Sequence, residues 1–429
     1  MQRSLYTAVS GVKGHQTYLD VTGHNVANVN TVGYKRDVMQ FSDTISQLIR
    51  NESAPVSPPG GVNPAQVGLG VRVGSISPSF AQGAFQATAI PTDMAIQGEG
   101  FFIVNNMGRQ LYTRAGNFAI DRDGNLVTQG EGSLVQGYRF NGTEMGNTLS
   151  DIVIPVGHEI PQRATTIAAF RSNLSSNAPA GTQHESTVTI HDSLGNPHIM
   201  VVMFKKQNEG NSWEWEAYFR NPDGSRADDF GAANGEVIFG PDGLLDPPNQ
   251  NGTINADFTS VDAGASSITL DFLGSEFAEM FGLPDRGSIG GLTSFGTPST
   301  ASALGQDGYA RGVLRDWSVG MDGVITGEYT NGILSPIAQV ALARVINPQG
   351  MSQVGKTSFA ATPNAGDVRI MTPGENGAGL IIGRTIEMSN VDLSEEFVNL
   401  IRSQRGLQAN TRAITTSDRI LETTINVKR

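Results

Sequence analysis

LSEEFVNLIRSQRGLQANTRAITTSDRILETTINV, from Leu393 to Val427, decides how this chain is put together. Leu393, Phe397, Leu400, Gln404, Leu407, Thr411, Ile414, Asp418, Leu421 and Ile425 follow alternating spacings of four and three, seven of the ten being apolar. That is the seam of a coiled coil, and Asp392 with Glu395 has the spacing of an N-terminal capping box. A helix with one such stripe cannot stay in water alone, because isolated helices of this size are marginal and their apolar face needs a partner.

The opposite end supplies one. Leu5, Val9, Val12, Gln16, Leu19, Gly23 and Val26 repeat the same spacing, with five of seven positions apolar. Two matched seams at the two termini predict that the ends pair with each other, and also with copies of themselves in a polymer. The first helix stops at GHNVANVNTVGYKR (Gly23–Arg36), where Asn and Gly tolerate left-handed backbone and Thr31 and Gly33 turn the chain.

Between the ends lies a different kind of sequence. From Asn51 to Gly70 the run NESAPVSPPGGVNPAQVGLG has no period and reads as a linker or extended ordered loop. Beyond it, strand-like runs alternate with turn signals: Phe101–Gln129, Ser186–Phe204, Trp213–Gly224 and Ser335–Ile346. Antiparallel hairpins are expected. With 52 Gly and 20 Pro in 429 residues and only 16% charged residues, the composition also fits many turns and short strands. The fold class expected is mainly β with coiled-coil helical termini, an elongated chain that folds back so that its ends meet, carrying two β-rich domains in line.

Charge narrows the partners. The formal net charge of −12 speaks against nucleic acid, which selects for basic surfaces. Residues 1–36 carry +3 and residues 389–429 carry +1, so the middle holds −16. An acidic centre facing water between near-neutral ends facing protein is the reading this favours. With no cysteine there is neither a disulfide framework nor a thiolate ligand. No run is long and apolar enough for a secretory signal or a membrane span, so the chain is expected to stay in the cytoplasm or to leave by a route without signal cleavage.

Motifs for chemistry are weak. GMSQVGKT (Gly350–Thr357) matches a phosphate-binding loop by letter, but such a loop needs a helix after it. SFAATPNAGDVRIMTPGENGAG follows instead, with Pro363 and Pro373 and no helical period, so Gly350 and Gly355 are expected in turns of positive φ. The histidines 15, 24, 158, 184, 191 and 198 show no metal-ligand spacing, and structural or surface roles are expected, with His191 and His198 flanking a turn at Asn196-Pro197. Asp121, Asp123 and Asn125 start like a calcium loop whose remaining ligands are missing, and read as a hairpin turn. No cofactor and no metal is expected, and neither an enzyme nor an adhesin explains the two seams.

These segments resemble a known family. ANVNTVGYK (Ala27–Lys35), through Ala27, Asn28, Asn30, Thr31, Gly33, Tyr34 and Lys35, is similar to the signature of the bacterial flagellar rod and hook proteins. TRAGNFAIDRDGNLVTQGEGSLVQGY (Thr113–Tyr138) and NPQGMSQVGKTSF (Asn347–Phe359) resemble its β-domain motifs, and Asn390–Val427 its C-terminal helix. The β-rich stretch from about Gly146 to Ala310 and the run Ser172–His198 point to a hook member, with a distal-rod member as the second reading. The resemblance implies a structural subunit that polymerises helically into a curved tube acting as a universal joint between rod and filament.

It also implies the layout. Residues 1–33 with 387–429 would form the inner helical tube, 34–72 a connecting segment, 73–145 with 311–386 an inner β-domain and 146–310 an inserted outer one. The assembly residues expected are Leu5, Val9, Val12, Leu19, Val26, Leu393, Phe397, Leu400, Leu407, Ile414 and Leu421. Implied partners are the chain itself, the distal rod protein, the hook cap, the hook-filament junction protein and the flagellar type III export apparatus, with neither nucleic acid nor membrane insertion. Some relatives cross-link their subunits through a cysteine, which this chain lacks.

Overall fold

The computed structural model describes residues 2–52, 61–141, 145–155, 157, 159–208, 210–221, 223–246, 251–275, 278, 290–375 and 377–427. The helices come where the seams put them, at Gln2–Ala27 and Leu393–Val427, with β-strands between them. The chain folds as two compact units. Unit 1 comprises residues 1–155, 317–327 and 336–429, and unit 2 comprises 156–316 and 328–335.

Unit 1 interleaves the two halves of the sequence. Phe101–Asn106 and Arg109–Thr113 form a hairpin. On one side Leu342–Val345 pairs with Phe101–Asn106 and in turn with Val368–Met371. On the other, Ser358–Ala360 pairs with Arg109–Thr113. Two short ladders, Met94–Gln97 with Leu380–Gly383 and Phe85–Ala87 with Thr385–Glu387, again join early to late chain. Phe101, Ile103, Tyr112, Val345, Met351 and Phe359 fill the core beneath, with Phe80 packed against it. Within the expected connecting segment, Asp37–Asp43 pairs with Val71–Pro78 and Ser46–Arg50 with Ala65–Gly68, so much of it is hairpin rather than free linker.

Unit 2 stacks two sheets. Gln183–His191, Pro197–Lys206, Ser212–Arg220 and Arg226–Ile238 run as an antiparallel meander. In QHESTVTIH the alternation is plain: Ser186, Val188 and Ile190 are buried while Glu185, Thr187 and Thr189 are exposed, the period-two pattern of a half-buried strand. The second sheet departs from the expected hairpins. Ile167–Asn173 lies parallel to both Ser266–Asp271 and Leu292–Thr293. Parallel neighbours need a long crossover, and here the whole meander serves as that connection. Phe170, Phe204, Trp215, Phe219, Phe258 and Phe272 form the core, many of them edge to face.

The phosphate-loop match is a hairpin. Ser352–Gln353 pairs with Ser358–Ala360, and Lys356 Nζ donates to Gly130 O at 2.9 Å. Gly355 has φ +75°, as expected, but Gly350 closes a short 3-10 turn and does not. Asp121 accepts from the backbone of Asp123 and Asn125, capping a tight turn between strands. Asp192, not Asn196-Pro197, organises the turn between His191 and His198, accepting from Leu194 N and Asn196 N and lying 3.0 Å from His198 Nε2. His158 lies outside the described residues.

Candidate assembly surface and its anchor

The two terminal helices pack antiparallel, as successive contacts show. Asn25 meets Glu396, Ser403 Oγ donates to His15 O at 2.7 Å, and Gly11 faces Asn410. The buried residues of the two helices are not the apolar seam. They are Ala8, Gly11, Gly14, Thr22 and Asn25 on one helix, and Glu396, Ser403 and Ser417 on the other. A Cβ on Gly11 would stand 2.7 Å from Asn410 Nδ2, and one on Gly406 2.5 Å from the His15 ring, so absent side chains permit the close approach. Sequence reading missed this line, although small or polar residues at multiples of seven on the C-terminal helix were its signal.

The apolar seam turns partly outward. Leu5, Val9, Val12, Leu19, Val26, Leu400, Leu407, Ile414 and Leu421 are half-buried. Leu393 and Phe397 are 40% and 50% exposed, and Val398, Ile401, Ile420 and Ile425 add further exposed apolar side chains along the same helix. One chain therefore does not bury its own seams, and a helix leaving this much apolar area in water presents a surface for another protein.

Helix ends and caps tie this pair to the β-structure. Asp392 Oδ1 accepts from Ser394 N and Glu395 N, an N-cap as expected. The other half of the capping box does not form, because the Glu395 carboxylate accepts from Arg36 Nη1 at 2.6 Å instead. Arg36 also lies 3.5 Å from Glu396, whose carboxyl is pushed above its usual range chiefly by burial.

The family-like stretch builds the anchor. Ala27 ends the helix; Asn28 returns its side-chain amide to His24 O, and Thr31 Oγ1 donates to Asn28 Oδ1 at 3.0 Å. Asn30 is exposed. Gly33 has φ +67°, and a Cβ there would fall 2.5 Å from Ala115 N, so the position admits only glycine. Tyr34 OH donates to Asn25 Oδ1 at 3.0 Å, and burial raises its pKa. Lys35 Nζ donates to Glu387 Oε1 at 2.6 Å with both side chains fully out of solvent, and to Ala81 O at 2.9 Å. Glu387 Oε1 also accepts from Gly83 N, and its Oε2 lies 3.5 Å from Arg114 Nη1. Burial draws the Lys35 ammonium below its ordinary range, and the Glu387 carboxylate works against that shift. Asn390 finishes the junction, accepting from Arg36 N and donating to Ser79 O. Glu387 carried no signal in the sequence beyond the fact that a buried Lys35 would need an acid, and Arg114 and Asn390, although inside family-like runs, carried none for this junction.

Among the described residues no group of three or more His, Cys, Asp or Glu is placed to hold a metal, and no helix is long and apolar enough to cross a membrane. Comparison with known proteins accounts for almost the whole chain. Residues 5–35 match the flagella basal body rod protein family, residues 95–169 the flagellar hook protein FlgE/F/G D1 domain, residues 160–309 the flagellar basal body protein FlaE D2 domain, and residues 383–427 the flagellar basal body rod FlgEFG protein C-terminal family. The chain is 36% identical to the flagellar hook protein FlgE of Borreliella burgdorferi and 36% identical to that of Treponema pallidum, over 100% of both chains in each case. It is 30% identical to the FlgE of Salmonella typhimurium over 99% of this chain and 100% of that one. The crystal structure of Helicobacter pylori flagellar hook protein FlgE2, at 15% identity, covers 71% of this chain and 100% of its own with a TM-score of 0.54, a likeness of fold.

Proposed function

Because this chain belongs to the flagellar hook protein family, we propose that it is a structural subunit of the hook, polymerising helically into the curved tube that passes torque from rod to filament. The full-length relatives are hook proteins, which favours this over a distal-rod subunit. The observation that carries the mechanism is the pair of terminal helices: they close on each other through small and polar residues and leave apolar side chains from Leu393 to Ile425 exposed.

A contact between unlike surfaces that does not close into a ring propagates into a filament. In such a tube the helix pairs would form the inner wall and take up one another's outward seams, with the β-structure outside. The subunit does no catalysis in this reading and holds no cofactor. Its partners would be its own copies first, then the distal rod protein, the hook cap, the hook-filament junction protein and the export apparatus that delivers it without signal cleavage. Electron microscopy of the purified full chain, concentrated in a salting-out buffer that strengthens apolar association, should show tubes with a central channel. Compact particles at every concentration and salt would contradict the reading.

A further inference from the structure

In unit 1 the strands Leu342–Val345 and Val368–Met371 place Arg344 directly opposite Arg369. Two guanidinium groups at facing positions repel. Glu99 answers one of them, its Oε2 accepting from Arg344 Nε at 3.1 Å and lying 3.0 Å from Nη2. Both arginines line a cleft of about 450 Å³ whose walls include Phe80 and Phe101. Arg114 also lines it, with its guanidinium carbon 5.4 Å from the centroid of the Phe101 ring and its buried Nε lacking a hydrogen-bond partner. Ile346, 70% exposed, stands at the same cleft. Arg114 is held by Glu387 and by the Gly98 carbonyl and Arg344 by Glu99, so Arg369 is the guanidinium that most needs an acid, and beside aromatic and aliphatic walls the cleft suits a carboxylate-bearing peptide segment with an apolar neighbour.

The chain itself carries the complement. Unit 2 holds 9 Lys and Arg against 21 Asp and Glu, a formal −12 that equals the net charge of the whole protein, while unit 1 holds 20 of each. We propose that the Arg344–Arg369 cleft docks an acidic segment on unit 2 of another copy of this chain, a second subunit contact separate from the helical seams. It rests on the polymer reading above. The outer contact is then polar and salt-sensitive, where the inner one is apolar.

The test uses the full chain. Arg344→Gln with Arg369→Gln should raise the critical concentration for polymer formation roughly fivefold, the factor an exposed ion pair at the strong end of its range supplies. Its polymers should also gain more from added salt than wild-type polymers do, since the salt-weakened attraction is gone. Arg369→Lys keeps the charge and supplies an amine. In polymers of mixed isotope-labelled and unlabelled Arg369→Lys chains, a zero-length carbodiimide should couple Lys at 369 to Asp or Glu of residues 156–316 or 328–335 in a different chain. Coupling confined to the same chain or to unit 1 carboxylates would overturn the docking, as would an unchanged critical concentration in the double variant. Wild type and the double variant polymerising at the same critical concentration would remove only the docking; no polymer from wild type would remove the hook reading and this contact together.

Discussion

At the scale of single residues, the decisive pair is Lys35 and Glu387, 2.6 Å apart and sealed from water. A buried pair of this kind contributes little over an apolar replacement, but losing one partner strands a charge. Lys35→Met should therefore cost about 3–5 kcal/mol of stability, because it leaves Glu387 only the longer 3.5 Å contact with Arg114, and Lys35→Met with Glu387→Gln less, since an amide needs no counter-ion and Arg114 keeps the carbonyls of Ile96 and Gly98. Urea denaturation midpoints of the two variants check this; equal losses would mean that the charge is not what matters. The pair also marks the limit of sequence reading. Lys35 stood out within ANVNTVGYK, but its acid lies 352 positions away in the unremarkable run TIE, and nothing local says that the two meet. Gly33, in contrast, was legible from its type alone, because a turn of positive φ leaves few other choices.

At the scale of elements, the terminal helices were readable because periodicity records which face is apolar, and no tertiary contact is needed to see it. Which face meets which neighbour was not readable. The seam predicted an intrachain zipper of leucine and valine, whereas the two helices approach through Gly11, Gly406, Ser403 and Ser417, where small volume outweighs hydrophobicity. Glu396 sits in that polar line, and its pH behaviour follows from burial. Its folded pKa is raised above the unfolded value, so its contribution to stability is fully present below the unfolded pKa and is lost as pH rises through the folded one. Asn25 and Arg36 moderate the loss, while Glu395 and Asp392 add to it. Glu396→Gln should stabilise the helix pair at neutral pH and make no difference in acid. Thermal melts of the far-ultraviolet helical signal at pH 7 and pH 4 would show it, and a Gln variant less stable than wild type at pH 7 would contradict it.

At the scale of the molecule, hairpins and turn chemistry announced the β-structure, but the sequence could not say that Leu342–Val345 slots in beside Phe101–Asn106, or that Ile167–Asn173 pairs in parallel across the meander. Those pairings are settled by burial of whole faces against one another, which local pattern does not encode. Charge told more: the acidic middle was visible as a composition, and the fold concentrates it in unit 2, leaving unit 1 neutral. In the proposed polymer the half-buried helical seams hold subunits together while the β-units fold without them. Leu407→Asp tests it most directly, by electron microscopy of the concentrated protein beside calorimetry of its unfolding. The variant should form no tubes under conditions where wild type forms them, with the β-unit transition unmoved; tubes of normal appearance from Leu407→Asp would show that the seams do not hold the subunits together.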